Sequence, residues 1–141
     1  MPRSSEIVSA ASELRILLGQ LVRRLRREYS FPVGQASVLG RLDREGPLTT
    51  SELAAAERVR PQSMAQTLAE LEAAGLIGRR PDPDDRRRVL IDLTRRGRER
   101  LHEDRRRREG WLTEAIAAEL TADEQETLIE ALPLLRRLAR Y

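Results

Sequence analysis

The chain predicts a mainly helical fold interrupted by one small β-hairpin. Three observations carry that expectation. Aliphatic residues recur at helical spacing along most of the 141 residues. Aromatic residues are nearly missing, with one Phe, one Trp and two Tyr, so the core must come from repeated aliphatic stripes, which favours helices. Only near residues 76–80 and 88–93 does the pattern turn strand-like, around a centre dense in turn residues.

Taken in order, residues 7–25 give the clearest helix. Ile7, Ala11, Leu14, Leu18, Leu21 and Leu25 form a coiled-coil-like seam, widened by Leu17 and Val22, that can pack internally or against a second subunit. The stretch 29–34 breaks it, with Pro32 positioned to start a second helix over 32–45 that turns Val38, Leu39 and Leu42 inward. Gly46-Pro47 stops that helix, because Gly suits a left-handed closing position and Pro cannot continue. Thr49 and Glu52 then read as a capping box opening a short helix, 51–58. After a break at Val59-Arg60, Pro61 fits the first position of a helix that Gly75 closes. Arg60 stands at its N-cap, where Arg is not a preferred cap.

Two strands follow, joined by Pro81-Asp82-Pro83-Asp84-Asp85. Val89, Ile91 and Leu93 alternate with Arg88 and Asp92. Thr94 can cap a long helix in which Gly110 costs about 1 kcal/mol against Ala and marks a candidate bend. A second capping box, Thr121 to Glu124, starts a last helix with Leu128, Leu132, Leu135 and Leu138 on one side; Pro133 should kink it.

A short helix, a tight turn, a second helix and a hairpin make a winged helix-turn-helix. In that arrangement the second helix enters the major groove of DNA and the wing reaches the minor groove. The expected division is 32–94 for this unit, with 1–31 and 95–141 as flanking dimerisation helices.

Composition removes most other functions. Without cysteine there are no disulfides, thiolate metal sites or thiol redox sensors. His102 is the sole histidine, and no nucleophile–base pair or phosphate-binding glycine loop is visible, so neither an enzyme nor a metal or cofactor is expected. No apolar run reaches the length of a membrane span and no signal-peptide core precedes the first helix, so a soluble cytoplasmic protein is expected.

Charge is uneven. Net charge is only +3, but residues 79–108 hold 13 Arg against 7 acids, a local +6 that suggests an anionic partner. For 98–108 alone, a solvated helix face is the simpler reading. The low net charge argues against nonspecific nucleoid packaging.

On helix 61–74, Met64, Leu68 and Leu71 form one apolar stripe at about 100° per residue, which puts Gln62, Gln66 and Ala69 on the opposite side. Glutamine can donate to and accept from adenine in the major groove. Ser63, Thr67 and Arg60 suit phosphate contacts, which position a protein without specifying sequence. On the wing, Arg86, Arg87 and Arg88 follow the acidic turn and face Arg79 and Arg80. An Arg at such a tip can enter a narrow minor groove, oriented by a carboxylate such as Asp85.

These motifs resemble the MarR (multiple antibiotic resistance regulator) family of bacterial transcription factors. The signature Asp-x-Arg, strand, Leu-Thr stands here as Asp85 to Thr94, followed by Gly97. Leu48-Thr49 with Glu52-Leu53-Ala54 resembles the family's opening of the helix-turn-helix, Leu71 to Ile77 with Arg79 its recognition-helix exit, and Gln35 and Leu39 fit the preceding helix. The resemblance spans nearly the whole chain. It implies a homodimer built by the first and last two helices, and a palindromic double-stranded DNA operator. It further implies repression relieved by a small-molecule effector, with Arg87 as the minor-groove arginine and Asp85 as its support. Many members bind phenolic compounds between the DNA-binding and dimerisation regions; the scarcity of aromatics leaves no such pocket to assign here. Arg15 and His102 are the polar candidates, with surface positions expected for both. The competing reading is a winged-helix protein-interaction module that never meets DNA.

Overall fold

The computed structural model describes Met1 and residues 3–141. Six helices and one hairpin follow in chain order: α1 (Ser4–Leu25), a 3₁₀ turn (Arg26–Glu28), α2 (Val33–Glu45), α3 (Thr50–Glu57), α4 (Pro61–Ala73), β1 (Ile77–Pro81), β2 (Val89–Leu93), α5 (Arg95–Glu119) and α6 (Ala122–Leu138). The mainly helical class with a small antiparallel hairpin is as expected, with element ends shifted by one to three residues. Two compact units divide the chain, Met1–Arg105 and Arg106–Tyr141, and α5 runs through the boundary. Helix continues through Gly110, and Pro133 lies inside α6.

The core of the first unit lies among α2, α3, α4 and the hairpin. Val38, Leu39, Leu42, Leu53, Met64, Leu68, Leu71, Leu76, Ile77 and Ile91 are fully enclosed. The helices form because each supplies an apolar stripe to this core, and their ends are set locally. Pro32 precedes the first turn of α2, and Gly46 closes it at φ 82°. The Thr49 hydroxyl accepts from Glu52 N at 3.2 Å and starts α3. The reciprocal half of that expected capping box is not made, because the Glu52 carboxylate turns to Arg88 of the wing.

Helix α3 ends in a Schellman arrangement. Val59 N donates to Ala54 O at 3.0 Å and Arg58 N to Ala55 O at 3.2 Å, with Arg58 left-handed at φ 55°. For a residue carrying a Cβ, that region is disfavoured by about 1–2 kcal/mol.

The hairpin pairs Ile77 with Leu93 through Pro81 with Val89. A third backbone joins its flank: Leu48 and Ile91 exchange hydrogen bonds of 3.1 and 2.7 Å. That bridge ties the segment between α2 and α3 to the wing. Ile91 and Leu93 face the core, whereas Val89, expected to alternate with them, is exposed because it lies beyond the core's edge towards the tip.

Helix α5 begins hard against the exit of α4. Thr94 Oγ1 accepts from Gly97 N at 3.0 Å and donates to Gly75 O at 2.6 Å, while Thr94 N donates to Leu76 O at 3.0 Å. A Cβ on Gly97 would fall 2.0 Å from Leu76 O, so only glycine permits this approach. Further along, the buried Asp104 accepts from Ser30 N at 3.1 Å and Ser30 Oγ at 2.7 Å. Arg100 lies over the Phe31 ring at 5.0 Å and donates to Ser30 Oγ. These contacts hold the junction before α2 to α5.

Helices α1 and α6 are different. Neither contains a buried residue. Ile7, Val8, Ile16, Leu17, Leu18, Leu21 and Val22 are exposed on α1, and Ile129, Leu132, Leu134, Leu135 and Leu138 on α6. The predicted seam therefore forms as helix, with Leu14 and Leu25 half-buried and Ile7, Ala11, Leu18 and Leu21 exposed. In α6 the expected capping box is complete: Thr121 Oγ1 accepts from Glu124 N, and Glu124 accepts from Thr121 N at 2.8 Å.

Candidate nucleic-acid interface

The candidate base-reading face lies on α4. Met64, Leu68 and Leu71 anchor the helix in the core, and Gln62, Ser63, Ala65, Gln66 and Ala69 are exposed. Pro61 at the first position and the extended Arg60 before it start the helix with no side-chain cap, which leaves Arg60 turned outward. Thr67, expected at a phosphate, lies at the edge of this face. It is half-buried and its hydroxyl donates to Ser63 O at 3.1 Å, the local bond that short polar side chains make inside helices.

Helix α4 is pinned at its sides. Gln35 Nε2 of α2 donates to Glu70 Oε2 at 2.8 Å, and Arg79 Nε of β1 pairs with Glu72. Arg79 is thus spent on the hairpin–helix contact, and Arg80 lies 3.9 Å from Asp92 across the strands.

The wing tip is shaped by its own acids. Asp84 N donates to Asp82 Oδ1 at 2.9 Å and Arg87 N to Asp85 Oδ1 at 3.1 Å, two Asx turns that fold residues 82–88 into a defined loop. Arg88 N and Asp82 N close it with backbone bonds of 2.9 Å to Asp85 O and Arg88 O. Arg87 projects from this loop with 95% of its side chain exposed, and its Nε is 4.0 Å from Asp85 Oδ1. Asp85 thus fixes the Arg87 backbone closely and its guanidinium loosely. Arg86 is exposed as well.

Arg88 behaves otherwise. Its guanidinium bridges Glu52 of α3 and Asp82 of the loop, the latter at 3.7 Å. It holds the wing against α3 rather than standing free. From sequence, Glu52 reads only as half of a capping box and Asp82 only as a turn residue, so neither is expected as a partner of Arg88. A pair separated by 36 residues leaves no local signal.

Behind this face, α2 supplies charge compensation. Glu57 is partly buried, which alone would raise its pKa, yet hydrogen bonds from Ser37 Oγ (2.6 Å) and Arg41 Nε (2.7 Å) hold it below the usual range. Asp43 is likewise held low, first by the hydrogen bond from Arg105 at 2.8 Å, with His102 and Arg98 adding positive charge. His102 and Arg15 are both exposed. No described helix is long and apolar enough to cross a membrane.

An anchored helix with a polar outer face, beside a hairpin that carries free arginines, defines a winged helix-turn-helix of the DNA-binding type. Comparison with known proteins places it further. The MarR family profile matches residues 31–89. An HTH-type transcriptional regulator of Mycobacterium tuberculosis is 40% identical over 131 residues, covering 91% of each chain. A putative transcriptional regulator of Pseudomonas aeruginosa has a crystal structure that superposes with a TM-score of 0.85 at 42% identity, covering 99% of each chain. A mutant of S. aureus MepR, solved bound to an oligodeoxyribonucleotide, shares the fold with a TM-score of 0.71 at 20% identity, over 93% of this chain and 96% of that one. The chain belongs to the MarR family of HTH-type transcriptional regulators.

Proposed function

We propose that this regulator is a homodimeric repressor that binds a palindromic double-stranded DNA operator and releases it when a small-molecule effector binds. The observation that carries the DNA contact is the wing tip. Arg87 is almost wholly exposed at the end of a loop whose backbone is tied down by Asp85, suited to entering a minor groove without further ordering. Gln62 and Gln66 read base edges from α4. Arg60, Ser63 and Arg86 contact phosphates, with Thr67 in a lesser role because its hydroxyl is already engaged. Arg88 serves by fixing the wing. A protein of this fold, the S. aureus MepR mutant, carries an oligodeoxyribonucleotide in its structure, which supports the same use here.

Dimerisation is supported by the exposed apolar faces. Large exposed apolar patches mark interaction sites, and α1 and α6 each expose several large apolar side chains. Residues 1–31 and 95–141 are accordingly the proposed dimerisation helices around the reading unit 32–94. Repression and effector release rest on the family, and no residue is assigned to the effector. A regulator of this kind acts in the cytoplasm, where its operator is.

The test is selection of bound duplexes from a random pool at physiological salt. Enrichment of a palindrome with half-sites about one helical turn apart is expected. Arg87→Ala should weaken binding to the selected site roughly tenfold or more while leaving the melting temperature unchanged, because the side chain contacts little of its own chain. No enrichment by folded protein would overturn the proposal.

A further inference from the structure

Among the described residues, Arg58 is the one non-glycine residue with positive φ. It closes α3 where glycine is usual, and glycine would keep both backbone hydrogen bonds of the turn while removing the conformational cost. No contact of the Arg58 side chain among the described residues offsets that cost. The side chain is exposed and makes no hydrogen bond, ion pair or ring contact among the described residues. A strained residue retained without internal benefit points to a use outside the fold.

The second observation is the charge around it. Glu57, the adjacent acid, is turned away and satisfied by Ser37 and Arg41, so it does not neutralise Arg58. Arg60, two residues on, is also exposed and also lacks an ion-pair partner among the described residues. The turn between α3 and α4 therefore presents two unopposed guanidinium groups directly before Gln62, Ser63 and Gln66.

We infer that Arg58 is a DNA-phosphate-binding residue, which with Arg60 clamps the backbone strand that passes the base-reading face of α4. The inference rests on the operator-binding reading above and extends it to a residue outside the wing and outside α4. A guanidinium suits the task because its planar donors match phosphate oxygens. Such a contact raises affinity and salt dependence without changing base preference.

The experiment uses the full-length protein and the duplex enriched by selection, with affinity measured across a salt series. Arg58→Gln should reduce the slope of log affinity against log salt by about 0.9 for each Arg58 engaged, hence about 1.8 in a homodimer. That corresponds to binding roughly 30-fold weaker at about 0.15 M salt. Arg58→Gly should lose the same slope with a melting temperature equal to or above the wild type. Arg58→Lys should retain the slope, and base preference should be unaltered in all three. An unchanged slope in both the Gln and Gly variants would overturn the inference, as would a Lys variant that loses as much as Gln. A wild-type protein with no duplex binding at any salt would instead remove the operator reading, and this inference with it.

Discussion

The helix-turn-helix core and the helices α1 and α6 stand at opposite ends of the burial range. In the first, Leu39, Leu53, Leu68, Leu71 and Ile91 are wholly enclosed by short elements that each give one narrow stripe to a common centre. In the second, two helices carry apolar faces at least as long and bury no residue. Both kinds of helix satisfy the same sequence rule. The difference lies in partners: the core elements are joined by short turns that bring their stripes together, whereas α1 and α6 bury none of their residues. Burial of apolar surface is the main favourable term in folding, so the core is expected to be self-sufficient, and the proposed dimer would give α1 and α6 the cover they lack here.

Substitutions separate the two regions. Leu68→Ala, in the core, should cost about 2–5 kcal/mol and lower the melting temperature accordingly. A loss under about 0.5 kcal/mol would show that the core is not the self-sufficient part. Gly97→Ala should cost about 1–3 kcal/mol, because the new Cβ meets the Leu76 carbonyl and α5 must shift from the exit of α4. Unfolding in denaturant would measure it, and an unaffected midpoint would mean that the close approach is not required.

Leu18→Glu, on the exposed face of α1, should leave the helical circular dichroism of the chain nearly intact but halve the mass in light scattering at low concentration. A dimer that survives this charge would exclude the face from the interface. The smallest effect is expected at Asp43, whose carboxylate is held below its usual range chiefly by Arg105. A lowered folded pKa stabilises above the unfolded value, about 3.9, and that contribution disappears as pH falls through the folded pKa. Asp43→Asn should therefore cost at most about 1 kcal/mol at neutral pH. The gap to the wild type should close below about pH 4; a gap that widens in acid would refute the assignment.

Much of the helix-turn-helix and wing is legible in the sequence because its signals are local. The stripe Met64, Leu68, Leu71 and the outward Gln62 and Gln66 follow from helical periodicity; Gly46 and Pro61 act at helix ends through their own backbone and Thr94 through its hydroxyl. The same logic misplaced Glu52. Its spacing from Thr49 predicts a capping bond, but Arg88, brought to it by the wing, is a charged competitor. Thr67 shows the converse: periodicity alone does not reveal that a hydroxyl has already been taken by its own helix. Arg58 left no signal either, because a left-handed arginine resembles any other surface arginine in one-dimensional form.

The sequence alone therefore determined the order of elements, the class of fold, the family and the residues of α4 and the wing that face outward. These depend on periodicity, caps and turn residues acting within a few positions. Only the tertiary structure decided which arginines are tied to acids of distant elements, that Gly97 must be glycine, and that α1 and α6 bury none of their residues. Those outcomes depend on atoms that the folded chain brings together from distant positions, or leaves without a neighbour.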